Sequence, residues 1–269
     1  MYCCYMKRDI AIFTIVKNES YFLKKWIQYY SQFFDLQDML VLNNNSDDGC
    51  TNNIHIRTQL LVGNNNHDCR WLTQHVRLQF ETLLHDYKYV MYVDVDEFIV
   101  PTHNPNLRSY IEQQINNGSN CLISTGWNII HYPEKGETTF DFSKNILSQR
   151  QHANDCKEYN KPYCANYTLD FIPGNHSAPN EQWHSQHQRN DAGALLLHAK
   201  LFDMQYTVQR YQQVLRQFSK FEPGAPISDH LYIIDNQPQQ FLDYHFPQRF
   251  NGSVHHLSQL IHYDYTHLF

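Results

Sequence analysis

No apolar run in these 269 residues approaches the ~20 needed to span a bilayer; stretches such as "ALLL" at 194–197 stop far short. Basic runs are missing too. With 21 Lys+Arg against 27 Asp+Glu and a net charge of −6, nothing in the chain tracks a phosphate backbone, which argues against nucleic acid as a partner. Glycine is scarce, nine residues, and none of it forms a Gly-rich phosphate loop. The seven cysteines are odd in number. The sequence has neither Cys-x-x-Cys nor His-Glu-x-x-His spacing, which argues against a structural zinc site and a metalloprotease. No Ser-His-Asp or Cys-His spacing supports covalent catalysis. With no signal-peptide pattern, the cysteines read as reduced thiols of a cytosolic protein, a peripheral membrane contact being left open. Internal repeats and low-complexity linkers are also lacking.

What is present is a surplus of histidine (17) and of aromatic residues (14%). Tyr and His suit polar pockets for planar or sugar-like ligands, but the bias decides nothing alone. "DIAIFTIV" (9–16) is a continuous apolar run of the kind expected of a strand covered on both faces. "SYFLKKWIQYYSQFF" (20–34) spaces Phe22, Trp26, Tyr29, Tyr30 and Phe33 as a helix, with Ser20 as its N-cap. "DMLVLNN" (38–44) is a second strand, running into the turn cluster "NNNSDDG". A third strand is expected near 56–62, a helix over 70–87 and a strand over 88–93. Further on, the pattern predicts a helix at 107–115, one strand over 120–130, a strand at 193–202 and a helix at 203–221. The stretch 131–192 shows little periodicity. Alternating strands and helices imply an α/β fold with a mostly parallel central sheet flanked by helices. In such sheets ligands bind beyond the carboxyl ends of the strands. "KNE", "NNNSDDG" and "DVDE" should therefore meet on one rim.

The acidic group Asp94, Asp96 and Glu97 follows an apolar strand, and like charges crowded there are costly unless a positive charge sits among them. In extended backbone Asp94 and Asp96 leave the same face about 7 Å apart, and a slight bend brings their oxygens around one cation. Mg²⁺ or Mn²⁺ suits such a pair, taking one or two carboxylates plus the phosphates of a nucleotide.

Together, "IFTIVKNESYFLKKWIQYY", "VLNNNSDDG" and "YVDVDEFIVP" resemble glycosyltransferase family two and its relatives of the GT-A superfold, in the branch with an Asp-x-Asp-Glu-Phe motif. "KPY" (161–163), "PGNH" (173–176) and "LLLHAKLF" (195–202) are similar to later blocks of that branch, in the same order. The resemblance covers residues 9–220 or so and implies one GT-A-type domain: a nucleotide-sugar-binding half at about 9–128 and an irregular acceptor-side half at about 129–269. It implies a metal-dependent, inverting transferase, of hexosyltransferase type, moving sugar from a UDP- or GDP-linked donor to a glycan or other hydroxyl acceptor. By the resemblance, Thr14, Asn18 and Glu19 line the nucleoside pocket, and Asn43, Asn44, Asn45 and Ser46 touch base or ribose. Asp94 and Asp96 hold the Mn²⁺ or Mg²⁺ that grips the donor's diphosphate, and His198 is a further ligand or touches the phosphates. Where relatives often carry Asp in the second-strand loop, this chain has three Asn, so the base stays open. An inverting displacement also needs a general base near the acceptor hydroxyl. Glu97, Asp229, His176 and Asp170 are the candidates, although in a regular strand Glu97 faces away from Asp96. A nucleotide-sugar hydrolase or nucleotidyltransferase on the same rim, and a non-catalytic glycan-binding protein, are the alternatives.

Overall fold

The computed structural model describes residues 6–63, 69–175, 178, 193–218 and 253–269. Four parallel strands form one side of a six-stranded sheet: β1 (Arg8–Val16), β2 (Met39–Asn43), β3 (Arg57–Leu60) and β4 (Tyr87–Tyr92), in the order β3-β2-β1-β4. Two short strands, β6 (Cys121–Ile123) and β9 (Pro162–Ala165), extend it antiparallel as β4-β9-β6. A five-stranded sheet runs β11-β8-β7-β10-β5, built from β5 (Glu97–Pro101), β7 (Thr125–Ile130), β8 (His152–Asp155), β10 (Ala194–Leu201) and β11 (Val254–His256).

The apolar runs of β1, β2 and β4 feed two cores by simple alternation, since successive side chains leave opposite faces. Ile10, Ile12, Met39, Val41 and Met91 enter one cluster, while Ala11, Phe13, Leu40, Leu42 and Val90 enter the other. Helix α1 (Ser20–Tyr30) covers the first with Phe22, Trp26 and Tyr30; α2 (Cys69–Asp86) covers the second with Val76, Phe80 and Leu83. The first cluster continues into the five-stranded sheet through Phe98, Val100, Leu195 and Leu197. Helix α3 (Leu107–Asn116) follows β5, and α4 (Met204–Phe218) follows β10.

The α/β class with helices flanking a parallel sheet is as expected, but three local expectations fail. The segment 120–130 is two strands, not one: the chain leaves the six-stranded sheet at Ile123 and enters the other at Thr125. Periodicity does not reveal this, because only Ser124 separates the two strands and both have extended, β-favouring sequence. The second half also holds more regular structure than its pattern suggests. Strand β8 is the polar tetrapeptide "HAND", held by partners on β7 and β11 that lie far off in sequence. Finally, Ser20 is the first helical residue of α1 and Glu19 occupies the cap position without capping; its carboxylate is used elsewhere.

Candidate functional site

Because β1, β2 and β4 are parallel and adjacent, the loops after Val16, Asn43 and Tyr92 open on one rim, as expected. The first two are latched together. Asn18 sits in the left-handed region (φ 56°), which Asn tolerates better than most residues. Its amide donates to Asp47 Oδ1 at 2.7 Å and its Oδ1 accepts the Asp47 backbone N–H at 2.8 Å, while its own N–H donates to Ser46 Oγ at 3.1 Å. Asn43 Oδ1 accepts the Ser46 N–H, and Asn45, also left-handed, donates to Leu61 O. Behind this rim Thr14 and Asn44 are buried, and Thr14 Oγ1 and Asn44 Oδ1 have no hydrogen-bond partner among the described residues.

The acidic group stands where the chain crosses from one sheet to the other. Residues 94–97 form a turn rather than extended strand, closed by Glu97 N–H donating to Asp94 O at 3.0 Å. Strand alternation therefore does not govern these side chains. Glu97 folds back towards Asp94, accepting its N–H on Oε2 at 2.9 Å, and Ala199 N–H on β10 bonds Asp96 O at 2.8 Å. From α1, Tyr30 donates to Glu97 O at 3.1 Å and accepts from Ile99 N–H at 3.0 Å, while Tyr29 donates to Ile99 O at 2.6 Å. The turn is thus fixed on both sides.

Two cations that the sequence did not advertise complete the group. Lys161, fully buried, places Nζ 2.7 Å from Glu97 Oε1, near enough for an ion pair though off the hydrogen-bonding direction, and 3.2 Å from Asp94 Oδ2. Its place depends on Gly126. A Cβ there would meet Tyr159 Cβ at 2.3 Å and Cys156 O at 2.5 Å, so only glycine lets the 156–160 loop lie so close to β7. Arg210, from α4, bridges Glu19 and Asp96: Nε donates to Glu19 Oε1 and Nη1 to Asp96 Oδ2, each at 2.8 Å. Its guanidinium also lies 4.8 Å from the Phe22 ring centroid. Lys161 falls within the "KPY" block, but nothing marked it as a partner of the acids. Arg210 is one polar residue of a helix whose pairing across 191 positions leaves no local trace.

One guanidinium serving two carboxylates compensates them unequally. Burial alone would raise Asp96, but the Arg210 guanidinium holds it well below the usual carboxylate range. Burial, with Asp96 as a second anion, pushes Glu19 up to about 7 despite Arg210. Glu97 is likewise raised by burial and by Asp94 and Asp96 against the pull of Lys161, whose own ammonium Glu97 and Asp94 favour over the cost of burial. His198, on β10, is lowered to about 4 by burial and is neutral near pH 7. Its Nδ1 lies 2.8 Å from Asn128 Oδ1, so Nδ1 carries the proton with Asn128 as oriented. Nε2 then presents a lone pair to Asp96 Oδ2 at 3.7 Å, and Tyr159 packs on the ring with centroids 4.2 Å apart.

The structure therefore brings Glu19, Asp96 and His198 together around Arg210, and Asp94 and Glu97 around Lys161, beside the Asn18 rim. Asp94 is the more open acid, its side chain 31% exposed, and also accepts from the Tyr92 hydroxyl. Glu97, at 0% exposure, braces the turn; an acceptor hydroxyl has no path to it in this arrangement. Asp170 pairs with Arg77 at 3.1 Å on the exposed side of α2. His176 and Asp229 lie outside the described residues. Among the described residues, no three His, Cys, Asp or Glu side chains converge as a ready-made metal centre.

The chain is similar to a glycosyltransferase. Over 174 residues it is 26% identical to a "Glycosyltransferase family 92 protein" of Ricinus communis, a match spanning 60% of this chain and 30% of that protein. It thus spans about a third of the relative's length. No protein-family model matches. Among solved structures, the chain overlays a protein described as "mannose-1-phosphate geranyltransferase" from Thermus thermophilus at a TM-score of 0.32 and 7% identity, covering 96% of this chain and 71% of that one, too loosely to carry an argument. The sequence match speaks for glycosyltransferases in general and does not single out the family-two branch with its Asp-x-Asp motif. No helix among the described residues is long and apolar enough to cross a membrane.

Proposed function

We propose that the chain is a divalent-metal-dependent glycosyltransferase of hexosyltransferase type, taking sugar from a UDP- or GDP-linked donor to a hydroxyl acceptor with inversion, in the cytoplasm. The observation that carries the reading is the charge balance at the rim. Glu19, Asp94, Asp96 and Glu97 outnumber Lys161 and Arg210 by two, and the neutral His198 adds no charge. Because burial raises the carboxyls of Glu19 and Glu97 so that both hold protons near pH 7, a divalent cation would take the place of those protons and complete the balance.

The donor atoms fit as well. Asp96 and His198 bring a carboxylate oxygen and a neutral ring nitrogen within 3.7 Å, and these two side chains would hold the ion. Carboxylate and imidazole suit Mn²⁺, whose other positions would fall to phosphate, water and Asp94. When bound, the ion would neutralise charge on the departing nucleoside diphosphate. The chain's own part is orientation and electrostatics. Asn128 holds the His198 ring by Nδ1, Lys161 and Arg210 supply fixed positive charge beside the leaving group, and the Asn18–Ser46 latch shapes the nucleoside side. The acceptor hydroxyl gives its proton to a base as its oxygen attacks the anomeric carbon and the bond to the diphosphate breaks. His176 and Asp229 remain the candidates for that base.

The test is nucleoside diphosphate release from UDP- and GDP-sugars, with Mn²⁺ or EDTA, and with or without a mixed glycan acceptor. Release that needs both Mn²⁺ and acceptor supports the reading. Acceptor-independent release favours a hydrolase, and no release from any donor refutes transfer.

A further inference from the structure

The five-stranded sheet has a second face that the acidic rim leaves unused. Side chains alternate along β7 and β10, so Asn128 and His198 leave one face while Thr125, Trp127 and Leu195 leave the other. On that other face lies a cavity of about 530 Å³, within the range usual for small-molecule sites. Trp127 and Asp155 are directly opposed across β7 and β8, which sets an indole and a carboxylate side by side in its lining. The His255 ring meets Trp127 edge-on at 5.3 Å, and His103 and His262 stack on each other at 4.4 Å. Gln259 adds an amide.

This lining has a definite chemistry. The indole offers a flat apolar surface to the C–H face of a sugar ring. Its N–H is turned away from the open side and has no acceptor among the described residues, so the ring presents the cavity with its apolar surface. The amide, the imidazoles and Asp155 bond hydroxyls. Among the described residues no Lys or Arg lines the cavity, and the carboxylate of Asp155 repels phosphates, which disfavours nucleotides and sugar phosphates. The three histidines do not form a metal group with any other ligand among the described residues.

We propose that this cavity binds a neutral carbohydrate, one or two residues of a glycan chain, at a site separate from the acidic rim. In a transferase it would hold acceptor chain away from the point of transfer; that use rests on the function proposed above, whereas the binding does not.

The test uses the full chain in EDTA with no nucleotide. Cellotetraose, maltotetraose, xylotetraose and tetraacetylchitotetraose are titrated by calorimetry and tryptophan fluorescence, with glucose 6-phosphate as the charged control. At least one neutral oligosaccharide should bind saturably while the phosphate does not. Trp127→Ala should weaken that binding by about tenfold or more through lost ring stacking. Because a strand tryptophan can be needed for folding, Gln259→Ala and His262→Ala, at exposed positions, provide a second test, each expected to weaken binding by about fivefold. Asp96→Ala should leave it unchanged, which separates this cavity from the rim. No binding by any neutral oligosaccharide, or undiminished binding by the Gln259 and His262 variants, overturns the proposal.

Discussion

Replacing Lys161 by methionine tests the electrostatic account of the turn without opening a cavity, because methionine keeps the length of the buried stem. Lys161 is fully buried between Glu97, 2.7 Å away, and Asp94, 3.2 Å away. Removing one partner of a buried pair typically costs about 3–5 kcal/mol, because the other is left charged and dry. Glu97 has an escape, since burial already raises its carboxyl and it can take up a proton. The loss at pH 7 should therefore fall at the low end, about 3 kcal/mol, out of a total stability on the order of 5–15 kcal/mol. It should grow at alkaline pH, where protonating Glu97 is harder, and shrink in mild acid. Adding Glu97→Gln removes the stranded charge while keeping an acceptor for Asp94 N–H, and should restore about 2 kcal/mol. Urea unfolding followed by circular dichroism, across pH 5.5 to 8.5, gives all four corners of the cycle. A single variant that loses less than about 1 kcal/mol, or a double variant no more stable than the single, refutes the reasoning.

Arg210→Met strands Glu19 and Asp96 together, so its melting temperature should fall further in EDTA than in Mn²⁺; equal falls would show that no ion takes over the neutralisation. Glu19, raised to about 7 from an unfolded value near 4.5, favours the fold while protonated. That contribution is full below pH 4.5 and lost as pH rises through 7, up to about 3 kcal/mol. His198, lowered from 6.5 to about 4, acts oppositely between those values, so the comparison belongs above pH 6.5, where Glu19→Gln should flatten the decline. An unchanged slope in that variant counts against the shared-guanidinium account. Tyr30→Phe leaves the buried Ile99 N–H without its acceptor and should cost about 1–3 kcal/mol in urea unfolding; a neutral result means the turn is anchored elsewhere.

The first hundred residues were legible because their signals are local. Apolar runs alternate with helical spacing, and each parallel strand delivers its following loop to the same rim, so "KNE", "NNNSDDG" and "DVDE" could be placed together from order alone. The environment of the acids was not legible. Their turn geometry, the backward fold of Glu97 and the two counter-cations depend on residues 67 and 114 positions away, Lys161 from Asp94 and Arg210 from Asp96. Strand alternation grouped Asp94 with Asp96, whereas the turn sets Asp94 beside Glu97 on Lys161 and Asp96 on Arg210, because the strand had already ended. The switch of sheet at Ser124 was hidden for a related reason: β6 takes its partner from β9 and β7 from β8 and β10, all of which come later in the chain.

The central claim, that a divalent ion completes the charge at Asp96 and holds a donor's diphosphate there, meets its most direct test in thermal shift. UDP, GDP and their sugar conjugates are each added to the wild type and to Asp96→Ala, with Mn²⁺ and with EDTA. At about 100 times its dissociation constant a bound nucleotide contributes about 2.7 kcal/mol, a rise of roughly 5–10 °C in a chain of this size. The account predicts that rise for at least one nucleotide in the wild type with Mn²⁺, and its absence both in EDTA and in the variant; the same rise in both proteins, or without metal, contradicts it.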